Sequence, residues 1–123
     1  MNLILASLLA SLLAFIINRY LVKKLGNKAI VYLIPCLEEI LKTGLFYVIG
    51  GNLVATHLIF GLIEAGFDYL TNYWAAFGAL LSHFLFGYLT LIIWNATSRL
   101  KIAVLVVILI HISWNYLIGR IIS

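Results

Sequence analysis

The chain has 123 residues, of which 65% are hydrophobic and 10% are charged, and its formal net charge is +4. Soluble domains are nearer about 45–50% apolar and 25% charged, so this composition excludes a soluble globular protein and predicts an integral membrane protein. A spanning helix takes roughly 20 residues, so five helices would use nearly the whole length and leave no room for a soluble domain.

The apolar segments predict an all-α transmembrane bundle of five spanning helices in a single domain. In chain order the predicted helices are 2–18, 29–50, 53–71, 74–96 and 101–119. We expect breaks at 19–28, 50–52, 71–73 and 97–99, where polar residues and glycines cluster. Pro35 should kink the second helix. The first helix is expected to be peripheral, and the other four should form the core that carries a site.

The basic residues indicate orientation in the membrane and give no signal for nucleic-acid binding. Half of them fall in one short segment, at Arg19, Lys23, Lys24 and Lys28. No positive charge precedes the first apolar segment, which reverses the order of a signal peptide and predicts a retained helix. The excess of basic residues then places the N-terminus outside and the C-terminus in the cytoplasm, in a prokaryotic cell membrane. Cys36 is the only cysteine, so neither a disulfide framework nor a thiolate metal cluster is expected.

All four acidic residues lie inside the apolar segments: Glu38, Glu39, Glu64 and Asp68. A charged side chain at the centre of a bilayer costs at least about 2.5–3.5 kcal/mol, so such residues mark functional sites by default. Five ionisable residues lie roughly 14–17 Å along their helices from the nearer end, at half of a ~30 Å hydrocarbon core. They are Glu38, Glu39, Glu64, His83 and His111. The sequence therefore predicts a site at the bilayer midplane, shared by four helices.

Helical spacing supplies partners for these residues. Lys42 lies three and four positions after the two glutamates and can pair with either of them as a charge partner. His111 and Asn115 are four apart and share a helix face. His57 and Asp68 lie near the ends of the third predicted helix, so we expect both at the membrane interface, outside the site.

Carboxylates, imidazoles and an amide around one polar cavity could hydrolyse an amide bond by activated water. The candidate catalytic residues are Glu38, Glu39, Glu64, His83, His111 and Asn115. An aspartyl dyad, a His-Glu-x-x-His zinc motif and a Gly-x-Ser-x-Gly elbow do not occur in the sequence. No cofactor is predicted, although a divalent metal such as zinc, bound by Glu39, Glu64, His83 and His111, stays open as an alternative.

The order of these motifs resembles a known family. Glu38-Glu39-x-x-Lys42, Phe60-x-x-x-Glu64, His83 and His111-x-x-x-Asn115, on successive helices, resemble the CAAX prenyl proteases and bacteriocin-processing enzymes, and most closely the PrsW branch of intramembrane proteases. The resemblance implies that one glutamate of the 38/39 pair activates water beside a histidine. It also implies that His111 and Asn115 stabilise an oxyanion. Most of these relatives have Glu-Glu-x-x-x-Arg and a histidine where Glu64 stands.

The sequence thus predicts a glutamate-dependent intramembrane endopeptidase that acts on a membrane-anchored protein or peptide. Two other functions stay open: a non-catalytic membrane partner or immunity protein on the same fold, and a proton or ion carrier that uses the midplane carboxylates. A transporter would be expected to carry internal repeats or broken helices, whereas no repeat is predicted for this chain and Pro35 is the only expected break within a helix. The expected partners are the lipid bilayer and the substrate, with a homo-oligomer open.

Overall fold

The computed structural model of the chain describes residues 2–122, which form five α-helices joined by short turns. The helices are α1 (Asn2–Leu25), α2 (Asn27–Ile49), α3 (Leu53–Tyr69), α4 (Tyr73–Thr97) and α5 (Leu100–Ile122). The predicted all-α architecture with five helices is confirmed. α3 and α4 form a closely packed hairpin, α1 packs on α2 and α3, and α5 packs on α2 and α4.

α1 is longer than predicted, because the basic segment after residue 18 does not end it. Arg19, Lys23 and Lys24 continue the helix to Leu25, since arginine and lysine are good helix formers and positive charge is favourable at a helix C-terminus. The turn into α2 is made at Gly26, whose φ of 68° is readily adopted by glycine. The predicted break at 19–28 is therefore wrong in extent.

The other predicted breaks are confirmed. Asn52 and Asn72 are the N-caps of α3 and α4, and their side chains accept hydrogen bonds from backbone N–H groups in the first turn of those helices. Ser98, with φ 56°, ends α4 in the left-handed conformation. α2 continues as one helix through Pro35.

Three of the helices in residues 2–122 are long and apolar enough to cross a membrane: α1, α4 and Leu100–Arg120 of α5. They indicate an integral membrane protein, and large apolar side chains are exposed on the outside of the bundle, as lipid contact requires. α3 has 17 residues, about 25 Å at 1.5 Å per residue and so shorter than a hydrocarbon core. α2 carries Glu38, Glu39 and Lys42, which lower its hydropathy. The structure thus supports three of the five predicted spans.

The α3–α4 hairpin contains a short repeat that was not predicted. Residues 56–61 of α3 read THLIFG, and residues 82–87 of α4 read SHFLFG. A Cβ atom added to Gly61 would lie 2.8 Å from the Cβ of His83, and one added to Gly87 would lie 2.7 Å from the Cβ of His57. Each histidine therefore packs on the glycine of the opposite copy. The repeat brings both imidazoles into the centre of the bundle.

Candidate functional site

Ionisable side chains from four helices meet in one cluster inside the bundle. Six of them are at most 4% exposed, namely Glu38, Glu39, Lys42, His57, His83 and His111. Glu64, on α3, joins the cluster with its side chain 39% exposed. The structure thus brings together the residues that counting along the helices placed at one depth, with Lys42, the predicted charge partner, and it adds His57 to them.

Glu39 lies at the centre of the buried ionic contacts. The ammonium of Lys42 donates to Glu39 Oε1 at 2.6 Å, and Nδ1 of His111 lies 2.9 Å from the same oxygen. The other oxygen, Oε2, is 3.6 Å from Nδ1 of His57. An ammonium and a carboxylate that are both removed from water need this kind of pairing, because breaking it leaves an uncompensated buried charge. Glu39 is therefore a residue that holds its neighbours in place.

His83 connects Lys42 to Glu64. Nδ1 of His83 lies 2.9 Å from Lys42 Nζ, and Nε2 of His83 contacts Glu64 Oε2. A lysine ammonium can only donate hydrogen bonds, so Nδ1 must accept, and the proton of the neutral ring is then on Nε2. His83 therefore donates to the Glu64 carboxylate. Lys42 Nζ also lies 4.7 Å from the centre of the Phe60 ring, in a cation–π contact.

Glu38 has different partners from Glu39. Its Oε1 accepts a hydrogen bond of 2.7 Å from the Asn18 amide of α1. Its Oε2 lies 4.0 Å from Nε2 of His111. The Glu39 carboxylate accepts from Nδ1 of His111, so when the imidazole is neutral its proton is on Nδ1 and Nε2 carries a lone pair. Glu38 Oε2 and His111 Nε2 are then two hydrogen-bond acceptors that face each other.

Two cavities meet at Glu38 and Glu64. One, of about 530 Å³, lies between α1, α2 and α3. The other, of about 450 Å³, is lined by side chains of all five helices. Asn18, Glu38 and Glu64 line both cavities. The second is also lined by His83, His111 and Asn115, so five of the six candidate catalytic residues line one cavity. Glu39 lines neither.

Asn115 and Asp68 have different surroundings from the buried cluster. Asn115 lines the smaller cavity, and its Nδ2 donates to the backbone oxygen of Ile30 at 3.0 Å. This hydrogen bond connects α5 to α2 and uses one of the two amide hydrogens. Asp68 lines the same cavity near the end of α3 and is half-buried. Its expected position at the membrane interface stays a prediction.

Two residues of this cluster were not predicted from the sequence. His57 was expected at the interface, but it is fully buried and lies beside Glu39. Its four-residue spacing from Gly61 was the available signal, because the same spacing recurs at His83 and Gly87. Asn18 belongs to α1, which was expected to be peripheral, yet it donates to Glu38. An amide side chain that follows a long apolar run in the helix was the signal there.

The residues that could hold a metal ion differ from those predicted. Ligand atoms of Glu38, Glu64 and His83 lie within 4.8 Å of one another, whereas Glu39 of the predicted set is bound by Lys42. A histidine must present a nitrogen without a proton to bind a metal. Since Lys42 donates to Nδ1 of His83, the Nε2 that reaches this position carries the proton. The donor set therefore fits a hydrogen-bonded water better than a metal ion.

Comparisons with known protein families, with curated proteins and with solved structures find no match for this chain. The resemblance to CAAX-type and PrsW-type proteases therefore stays a prediction that depends on the motifs of the sequence. The function of this chain has to be inferred from its own contacts and cavities.

Proposed function

We propose that this protein is a glutamate-dependent intramembrane endopeptidase, with all five helices in the bilayer of a prokaryotic cell membrane. The N-terminus is outside and the C-terminus is cytoplasmic. Its substrate is a membrane-anchored protein or peptide, in which it hydrolyses a peptide bond. The observation that carries the proposal is the pair of acceptors, Glu38 Oε2 and His111 Nε2, which lie 4.0 Å apart and line the same cavity.

This spacing suits one water molecule. Two hydrogen bonds of about 2.8 Å that meet at a water oxygen, at roughly 90–110°, span about 4–4.5 Å. A water held there gives both of its hydrogens to Glu38 and His111, so its lone pairs are free to attack a carbonyl carbon. The Asn18 amide holds the other Glu38 oxygen, which fixes the orientation of the carboxylate.

In the proposed reaction, Glu38 takes a proton from the water as the water oxygen bonds to the carbonyl carbon. The tetrahedral intermediate then collapses, and the leaving amine takes the proton from Glu38. Glu39 and Lys42 are positioning residues, because Glu39 orients the His111 ring and Lys42 neutralises Glu39. His83 and Glu64 line the same cavity as Glu38 and His111, and there they contact the substrate. The remaining N–H of Asn115 can donate to the developing oxyanion.

The test is cleavage of a membrane-tethered peptide library by the purified protein in detergent. Glu38→Gln keeps the shape of the side chain and removes the base, so we expect cleavage to be abolished. Asp68→Asn is the matched control, because Asp68 lines the same cavity outside the buried cluster, and it should keep wild-type activity. Full activity of Glu38→Gln would overturn the proposal.

Two further results of this experiment would distinguish a glutamate-dependent peptidase from a metalloenzyme and from a non-catalytic partner. Loss of activity with a chelator and its return with zinc would indicate a metalloenzyme and contradict the water-activating pair. Binding of membrane peptides without cleavage, in protein that is folded by circular dichroism, would indicate a non-catalytic partner in place of a protease.

A further inference from the structure

Two buried polar residues have no part in the proposed reaction. His57 is fully buried, and its Nε2 lies 3.4 Å from the hydroxyl oxygen of Thr43, which is also buried. On its other side, Nδ1 of His57 faces Glu39 Oε2 at 3.6 Å. Among the described residues, neither of these two facing atoms has a hydrogen-bond partner. An unsatisfied buried polar group costs about 1–3 kcal/mol, so a small approach of the two atoms with a proton between them would satisfy both.

Thr43 and His111 line different cavities. Thr43 lines a cavity of about 1000 Å³ that is formed by the second half of α2, the end of α4 and the first half of α5. His111 lines the cavity of about 450 Å³ near the end of α3, the start of α4 and the second half of α5. Because successive helices run in opposite directions, these two cavities lie toward opposite ends of the bundle. The buried cluster separates them.

A row of polar side chains connects the two cavities through this barrier. From the larger cavity it runs through Thr43 and His57 to the Glu39 carboxylate, and from there to His111 at 2.9 Å. Each imidazole has one nitrogen toward each neighbour, and the Glu39 carboxylate has one oxygen toward each imidazole. Groups with two such positions can accept a proton on one side and release it on the other.

We propose that Thr43, His57, Glu39 and His111 form a proton-transfer path between the two cavities. His111 Nε2 takes a proton from water in the smaller cavity, and the imidazolium passes its Nδ1 proton to Glu39 Oε1. The Glu39 carboxyl group then turns and gives this proton to Nδ1 of His57. His57 releases its Nε2 proton to the Thr43 oxygen, whose hydroxyl proton leaves to water in the larger cavity. One N–H or O–H bond forms for each that breaks, and one proton crosses the barrier.

Proton transfer by this path does not depend on the proposed peptidase activity, although both use His111. After each transfer both imidazoles carry their proton on the opposite nitrogen, so each ring must turn and exchange protons with water of its nearer cavity before it returns to its starting tautomer. The Lys42 ammonium lies 2.6 Å from Glu39 Oε1 and opposes the positive charge of a passing proton. We therefore expect a slow, carrier-like flux, far from that of an open channel.

The experiment measures proton flux in vesicles of phosphatidylcholine and phosphatidylglycerol that contain the full-length protein and a trapped pH-sensitive dye. Valinomycin and potassium clamp the membrane potential while the outside pH is lowered in one step. Wild-type vesicles should acidify faster than empty ones. Thr43→Val removes the hydroxyl at constant shape, so the proton flux should fall at least about tenfold. Thr43→Ser keeps a hydroxyl group, so its proton flux should be like that of the wild type. Thr90→Val is the matched control, because Thr90 is similarly buried and its hydroxyl donates to the Phe86 backbone oxygen.

The outcomes separate this proposal from the peptidase. Thr43→Val should keep wild-type peptide cleavage, because Thr43 contacts neither the water nor the substrate. Wild-type flux no greater than that of empty vesicles would overturn the path, and so would equal flux in Thr43→Val and the wild type. Loss of cleavage in Glu38→Gln with wild-type flux would support both proposals independently.

Discussion

The contact between α3 and α4 provides a test of the packing that places the histidines. In Gly61→Ala the new Cβ would lie 2.8 Å from the Cβ of His83 and 3.3 Å from the backbone oxygen of Ala79. Neither atom is the far end of a flexible side chain, so the two helices must move apart. Overpacking of this kind costs about 1–3 kcal/mol. We expect Gly61→Ala to lose that amount of unfolding free energy, offset in part by about 0.5–1 kcal/mol of helix propensity, and to displace His83 from Lys42 and Glu64.

Gly66→Ala is the matched control on the same helix. A Cβ at Gly66 meets no atom within 4 Å, so this variant should gain about 0.5–1 kcal/mol from the better helix propensity of alanine. The gain in helix propensity is common to both positions, so the two variants should differ by the overpacking cost of about 1–3 kcal/mol. The assay is reversible unfolding in mixed detergent micelles, followed by circular dichroism. Equal stability of the two variants would refute the close packing of α3 against α4.

Two further predictions concern the polar contacts. Lys42→Met leaves Glu39 buried without its ammonium, so the free energy of unfolding in the same assay should fall by about 3–5 kcal/mol. Adding Glu39→Gln should recover part of this loss, and a double variant less stable than Lys42→Met would contradict the pairing. Asn18→Leu removes the 2.7 Å hydrogen bond to Glu38. For the proposed cleavage kcat should fall about tenfold or more, the effect of losing roughly 1.5–3 kcal/mol of hydrogen bonding to a charged group, while KM changes little. An unchanged kcat would show that Asn18 does not position the carboxylate.

The helices and most of their ends could be predicted from local sequence. Asn52 and Asn72 are strong N-caps, and Gly50 and Ser98 adopt the positive φ angles that end helices. The end of α1 was misplaced because positive charge was taken as a break, although lysine and arginine are compatible with a helix. The short repeat in α3 and α4 was visible in the sequence. Its meaning depends on the pairing of the two copies, which is a tertiary contact.

Residue counts along the helices were enough to predict that carboxylates and imidazoles of four helices share one depth, because helix rise converts counts into distances. The different roles of the adjacent glutamates depend on tertiary packing. Neighbouring positions on a helix point about 100° apart, so Glu39 turns to Lys42, His57 and His111, while Glu38 turns to Asn18 and the cavities. Which helix lies on each side is set by packing, and no local pattern encodes that choice. The same packing leaves one glutamate facing the cavities and encloses the other.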